Sequence, residues 1–162
     1  MSEIDRLVDE LQRDHDGDPW HGSSITRILH GLTSPQAALR PVSHVHSVWE
    51  IVLHMAAWKH EVKRRISGAP AGLPEEGDWP PVGDPTPERW AEALRRLDAA
   101  QASVIAAVRG LSEAELLAPT KDPRERETGA GVSYYVLVHG LAQHDAYHGG
   151  QLALLIKTLQ GR

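Results

Sequence analysis

Apolar residues recur along this chain at intervals of three and four, the spacing that places them on one face of a helix. The pattern predicts a first helix that begins near Ser2 and is interrupted at residues 17–22. A serine at residue 23 or 24 restarts helical structure, and residues 34–40 form a short turn that opens with Ser-Pro. No segment shows a convincing two-residue alternation, so the sequence predicts no strand.

Three further long helices are predicted at about residues 47–66, 86–110 and 134–159. Residues 69–85 are rich in proline and glycine and predict a long crossover loop, and a polar loop covers residues 121–131. Four long helices, one long crossover and no strands together predict an all-α protein built as a four-helix bundle. The length of 162 residues suits one compact domain, so we predict a single domain over residues 1–162.

The composition is that of an ordinary globular protein with an excess of acidic groups. Hydrophobic residues make up 41%, charged residues 24%, and the formal net charge is −5. A nucleic-acid-binding protein needs a surplus of Lys and Arg to displace phosphate counterions, so we predict no nucleic-acid partner. The basic residues Lys59, Lys63, Arg64 and Arg65 interleave with Glu61, which predicts one solvated helix face.

The first residues have neither the basic region nor the apolar region of a secretory signal, and no later stretch reaches the length of a membrane span. We therefore expect a cytoplasmic protein with no membrane partner.

The chain contains no cysteine but ten histidines. The absence of cysteine excludes disulfides, thiolate zinc sites and a cysteine nucleophile. Any thiol chemistry must therefore use a thiol supplied by another molecule. Ten histidines are unusual for a chain of this length, and their positions along the predicted helices indicate which of them could form a site.

His144 and His148 occupy the apolar seam of the last predicted helix. The seam is continued by leucines in steps of three and four: Leu137, Leu141, Leu152, Leu155 and Leu159. Residues four apart lie one turn above each other on the same helix face. Two successive buried imidazoles are costly unless something binds them, so they are either two metal ligands or two core histidines with satisfied ring nitrogens. Gln151, on the same edge, could orient a ligand or satisfy a buried polar neighbour.

His54 is a third candidate ligand, at the edge of the apolar arc of the second long helix and beside Trp58. Glu50 lies one turn earlier and is either an acceptor or general base for this site or a solvated helix carboxylate. Trp20 and His21, in the break of the first helix, could line the mouth of a pocket or serve only in capping and packing.

Two segments carry a family resemblance. HSVWEIVLHMAAW (residues 46–58) and HDAYHGGQLALL (residues 144–155) resemble the signature helices of the DinB-like (DinB/YfiT) superfamily, as does the WHGSSI segment. The resemblance implies an up-up-down-down four-helix bundle that is usually a homodimer. It also implies one nickel or zinc ion on His54, His144 and His148. Some relatives transfer or isomerise with a low-molecular-weight thiol, and many others have no known activity.

Three neutral imidazoles leave the charge of a divalent ion uncompensated and at least one coordination position open. Such an ion activates bound water or stabilises a bound thiolate. The sequence therefore predicts a metal-dependent thiol S-transferase or hydrolase that acts on a small molecule. The alternative is a non-catalytic metal-binding protein or a dimeric helical interaction module.

Overall fold

The computed structural model describes residues 1–122 and 132–161 of the chain. Within them the protein is all-α, as predicted, with seven helices and a single isolated β-bridge between Pro119 and Ser133. The helices are α1 (Glu3–His15), α2 (Ile25–Leu29), α3 (Ser34–Ala38), α4 (Val48–Ile66), α5 (Pro87–Arg109), α6 (Glu113–Leu116) and α7 (Tyr134–Leu159). The polar loop predicted at 121–131 lies, except for its first two residues, outside the described residues. None of these helices is long and apolar enough to cross a bilayer.

Serine and threonine caps define where the long helices begin. The Ser47 hydroxyl accepts a hydrogen bond from the Glu50 amide at 3.2 Å, and the Glu50 carboxylate accepts one from the Ser47 amide at 2.7 Å. This reciprocal capping box satisfies two amides that α4 itself leaves without partners. Thr86 and Ser133 cap α5 and α7 in the simpler way, through one side-chain hydrogen bond each.

The four long helices pack on one another in a ring, since α4 contacts α5 and α7, and α1 contacts the same two helices. Helices α4 and α5 are parallel: the rings of Trp49 and Trp90, near their first turns, lie 5.1 Å apart, and Val62 and Val104 share a core cluster further along. The crossover between them therefore has to run back along the length of the helices, which explains why it is long.

Helix α1 is antiparallel to α5. The Leu11 carbonyl accepts a hydrogen bond from Gln101, while His15, later in α1, contacts Asp98, which is earlier in α5. Helix α7 is likewise antiparallel to α4, because His54 lies beside His148 and Val62, later in α4, shares a cluster with Leu141, which is earlier in α7. The directions of α1, α4, α5 and α7 are thus up, down, down and up. These directions do not bear out the expected order up-up-down-down, in which α1 and α4 would be parallel.

Two hydrophobic clusters fill the interior. One gathers the first half of α4 with the end of α7, around Trp49, Val52 and Leu152, and the other gathers α1 with the start of α7, around Leu11 and Leu141. Along α4 and α7, buried polar side chains occupy the stretch between the two clusters: His54, Lys59, Asp145 and His148. This polar layer contains the candidate site.

Lys59 corrects one expectation from the sequence. Its side chain is fully buried and forms an ion pair with Asp145, which is equally buried. Glu61 is also buried and receives Arg64 and Arg65, so this part of α4 is not the solvated face that the charge pattern predicted. Buried charges of this kind occur in proteins only when they are paired.

Candidate metal centre

Three histidines from two helices converge in the polar layer. His144 and His148 lie on the same face of α7, and His54 faces them from α4. Each offers one ring nitrogen, and these three atoms lie within 4.8 Å of one another. Nε2 of His54 and Nε2 of His144 are 3.0 Å apart. His54 and His148 are buried and His144 is partly accessible, so the cluster has one open side.

The outer nitrogen of His54 is held by the crossover loop. Its Nδ1–H donates to the backbone carbonyl of Asp78 at 2.6 Å, and the Asp78 carboxylate lies 3.4 Å from the same nitrogen. The carboxylate in turn accepts from the indole N–H of Trp58 at 2.7 Å. Because a carbonyl oxygen only accepts, Nδ1 carries the proton and Nε2 is left with a lone pair. This is the arrangement that orients metal-binding imidazoles.

Oxygen atoms also lie behind the other two rings. The Nδ1–H of His148 donates to Oε1 of Gln151 at 2.7 Å. Nδ1 of His144 is buried and lies 3.9 Å from Oδ1 of Asp145, whose other oxygen binds Lys59. Burial opposes the ionisation of Asp145, but Lys59 and His144 together outweigh burial, and the pKa of this carboxyl lies below its ordinary value.

The donor set fits a divalent ion. With Nδ1 protonated on His54, its Nε2 lone pair faces Nε2 of His144 at 3.0 Å. Two such lone pairs repel unless a cation or a shared proton lies between them. Imidazole nitrogens bind zinc at about 2.0–2.1 Å, so two ligands of one ion are separated by roughly 3.0–3.4 Å, which matches the observed distance.

The local environment favours the neutral form of two of the three candidate ligands, His148 and His54. Burial, followed by the neighbouring His144, lowers the pKa of His148 to about 4. Burial likewise lowers the pKa of His54, although its hydrogen bond to Asp78 opposes the shift. Metal ligation requires neutral imidazole, so at neutral pH these two ligands need not release a proton before binding an ion.

Trp79 covers the cluster from the crossover loop. Its ring stacks on His54 with centroids 4.0 Å apart and on His46 with centroids 3.5 Å apart. Sequence reasoning missed Asp78 and Trp79, because the loop between α4 and α5 has no periodicity that indicates what it packs against. The one available signal was an acidic and an aromatic residue side by side in a loop that is otherwise rich in proline and glycine.

The remaining predicted site residues fall into two groups. Trp58 and Gln151 lie in the cluster, through the hydrogen bonds described above. Glu50 instead pairs with Arg40 and with the Ser47 amide; burial opposes its ionisation, but these partners lower its pKa to about 2. Its carboxylate is therefore engaged at the start of α4.

The structure does not bring Trp20 or His21 to the three histidines. Trp20 is fully exposed, and Nε2 of His21 is bound to the Asp14 carboxylate at 2.9 Å. Both residues follow the end of α1 on the loop that leads to α2, so their position depends on that loop rather than on the helices that carry the cluster.

Fold and site together define an all-helical protein with a three-histidine cluster suited to a divalent ion. The family model for the DinB superfamily matches residues 20–152, and the chain belongs to this superfamily. The matched residues include all three histidines. No curated protein and no solved structure shows a significant match to the chain.

Proposed function

We propose that this protein binds one nickel or zinc ion through His54, His144 and His148 and acts as a metal-dependent thiol S-transferase on a small molecule. The observation that supports the proposal is the convergence of three imidazoles from α4 and α7, with ligand nitrogens within 4.8 Å of one another. Three neutral ligands would leave at least one coordination position for an outside molecule, whereas a closed structural site has four protein ligands.

An ion in this position would stabilise a bound thiol as its thiolate, the form that attacks electrophilic carbon. The chain has no cysteine, so the thiol is a low-molecular-weight cosubstrate. In the transfer a sulfur–carbon bond forms, the bond from that carbon to its leaving group breaks, and the thiol proton passes to solvent. The open side of the cluster, beside the partly accessible His144, is where both molecules approach.

The placement of acidic groups favours a thiol over a water nucleophile. The carboxylates of Asp78 and Asp145 face Nδ1 of His54 and Nδ1 of His144. Both therefore lie behind the imidazoles, on the side away from an ion. A hydrolase gains from a carboxylate that takes a proton from the attacking water, and neither group is on the side where that water would bind.

The protein's own residues orient the ligands. Asp78 and Gln151 accept the Nδ1 protons of His54 and His148, which directs their other nitrogens inward. Trp79 stacks on His54 and shields it from water, which strengthens electrostatic interactions within the cluster. None of these groups has to move for the three imidazoles to face a common point.

The experiment begins with metal analysis of protein purified without a nickel column. We expect about one divalent ion per chain, with occupancy lost in His54→Ala, His144→Ala and His148→Ala alike. His60→Ala is the matched control, because His60 lies on α4 but is exposed to solvent. A ligand variant with undiminished occupancy would contradict the assignment of that residue.

The thiol step is tested on protein loaded with cobalt(II), which reports its ligands by colour. Adding a small thiol should produce a sulfur-to-metal charge-transfer band that is missing in His148→Ala. Glutathione, 2-mercaptoethanol and cysteine provide probes of different size. If none of them produces a band, the thiol step is wrong, and a metal-bound water or a non-catalytic metal site takes its place.

We also infer that α1, α4, α5 and α7 form a four-helix bundle in one domain, in the order up, down, down, up. The closed ring of packing contacts among the four helices supports this architecture. In such bundles metal sites form between facing helices, which agrees with histidines on α4 and α7.

A further inference from the structure

A cavity adjoins the histidine cluster on the side towards the start of α7. It has a volume of about 370 Å³. Trp58 and His144 form its wall at the cluster, and the remainder lies between α4 and the first turns of α7, around Val62, Leu137 and Leu141. A volume in this range suits a small molecule. His144 therefore borders both the cavity and the candidate metal centre.

The wall of this cavity is mostly apolar. Valines, leucines and the Trp58 ring supply most of its surface, and the polar residues Thr120 and Asp122 also line it. Gly140 lies at its exposed edge with no other atom within 4 Å of where a Cβ would be. Apolar surface of this kind favours an apolar ligand, whose transfer out of water costs no free energy of hydration for polar groups.

Among the described residues of the wall, the Lys or Arg side chain is Arg65, and its guanidinium is already engaged. Arg65 donates from Nε to Glu61 at 2.8 Å and from Nη2 to the Gly72 carbonyl at 2.7 Å. Its guanidinium also lies over the Trp58 ring, 5.6 Å from the centroid. An anionic ligand would have to compete with Glu61 for this charge, and Glu61 is buried and held by Arg64 as well. Because this guanidinium is already engaged, the wall gives an anionic ligand little to bind, which favours an uncharged occupant.

We propose that this cavity between Trp58, Val62, Leu137, Gly140 and His144 binds the uncharged apolar body, aromatic or branched alkyl, of a ligand whose thiol reaches the metal centre. The proposal rests on the proposed function, which supplies the ion for the thiol, and adds the chemical class of the molecule. The cavity would thus act as a selectivity pocket.

The test compares thiols on the cobalt(II)-loaded protein, with the charge-transfer band as the readout. Phenylmethanethiol should bind about tenfold or more tightly than 2-mercaptoethanol, since its ring buries apolar surface that the hydroxyethyl group lacks. 4-(Mercaptomethyl)benzoate carries a charge on the same ring and should lose this advantage. If the benzoate binds more tightly than phenylmethanethiol, the cavity selects an anion and the proposal is overturned.

Gly140→Leu tests where the ring binds, because the new side chain takes up space at the cavity edge while replacing a glycine inside a helix. It should reduce the preference for phenylmethanethiol to about threefold or less, with 2-mercaptoethanol affected by less than about twofold. Val136→Trp, also in the wall and exposed, should act in the same direction. Gly150→Leu is the matched control, since Gly150 is an exposed glycine of α7 that borders a different cleft. A loss of preference in the control as well would contradict the location.

An experiment on the metal-free protein tests ligand binding in the cavity independently of the ion. Phenylmethanol, which has the ring but no thiol, should bind the metal-free protein with a dissociation constant of about a few millimolar, observed by ligand-detected NMR. Gly140→Leu should abolish this binding, and Gly150→Leu should preserve it. Absence of binding to the wild-type protein would overturn the cavity proposal even if every thiol gave a cobalt band. Binding without any thiol band would leave the cavity intact and remove the thiol step of the proposed function.

Discussion

Lys59 of α4 and Asp145 of α7 form an ion pair with both side chains completely buried, directly behind the ring of His144. The pair ties the two helices that carry the histidines at the level of the cluster. Removing one partner leaves the other charge buried without compensation, which is far more costly than the pair is favourable.

We therefore expect Lys59→Met to lower the free energy of unfolding by about 3–5 kcal/mol, measured by urea denaturation of the metal-free protein. The double variant Lys59→Met with Asp145→Leu should recover much of this loss, because it leaves no buried charge. Arg95→Met is the control: its pair with Glu92 is exposed, so it should change stability by less than about 1 kcal/mol. Equal effects at Lys59 and Arg95 would contradict the burial of the α4 pair.

The Trp79 ring should support metal binding without contacting the ion. Trp79→Leu removes the stacking on His54, and we expect it to weaken metal affinity by about tenfold while the fold is retained. Competition with a chelating dye gives the affinity, and circular dichroism reports the helix content. Trp20→Leu, at a fully exposed tryptophan, should leave the affinity unchanged. An unaltered affinity in Trp79→Leu would mean that the crossover loop only covers the site.

The lowered pKa of Glu50 predicts how the free energy of unfolding changes with pH. Its pKa is about 2 in the folded protein against an ordinary value of 4.5, so the folded state binds this proton less readily than the unfolded state. The stabilisation is complete above pH of about 4.5 and is lost as the pH falls through about 2. Glu50→Gln should cost about 1–2 kcal/mol at pH 7, because it removes the ion pair with Arg40 while the amide oxygen can still accept from Ser47, and nearly nothing at pH 2. A penalty that does not depend on pH would show that the carboxylate is not ionised in this role.

An exposed apolar stretch of α7 supports the predicted homodimer. Tyr147 and Leu154 are seven residues apart on one helix face and are 65% and 69% exposed. We expect light scattering to give a dimer mass and the double variant Tyr147→Glu with Leu154→Glu to give a monomer. Leu73→Glu, at an equally exposed leucine of the crossover loop, should remain dimeric. A monomeric wild-type protein at micromolar concentration would remove the prediction.

Helical periodicity was sufficient to group His54, His144 and His148. Each one interrupts or borders the apolar face of its helix, and the local sequence alone indicates that this face points into the interior. Lys59 was misjudged for the opposite reason. Its neighbours in sequence are charged, and the partner that permits its burial is Asp145, 86 residues away. The chain directions of the helices were equally out of reach, since they depend on whether the crossover runs back along the helices.

Asp78 and Trp79 illustrate a second limit. Their role depends on the crossover loop folding back over α4, and a segment rich in proline and glycine carries no repeating pattern that identifies its packing face. The capping residue Glu50 shows the same difficulty on a smaller scale. The sequence places it one turn before His54, but Arg40, ten residues earlier, determines where its carboxylate lies.

The distance along the chain between the ligands has a topological consequence. His54 and His144 are 90 residues apart, and an ion held by both would close a loop of that length in the folded chain. Because the unfolded chain does not hold the three imidazoles together, such an ion would stabilise the folded state by mass action, and the stabilisation would rise with the concentration of free metal. A chain without cysteine would thus gain a reversible cross-link, whose strength follows the supply of metal rather than the redox potential of its surroundings.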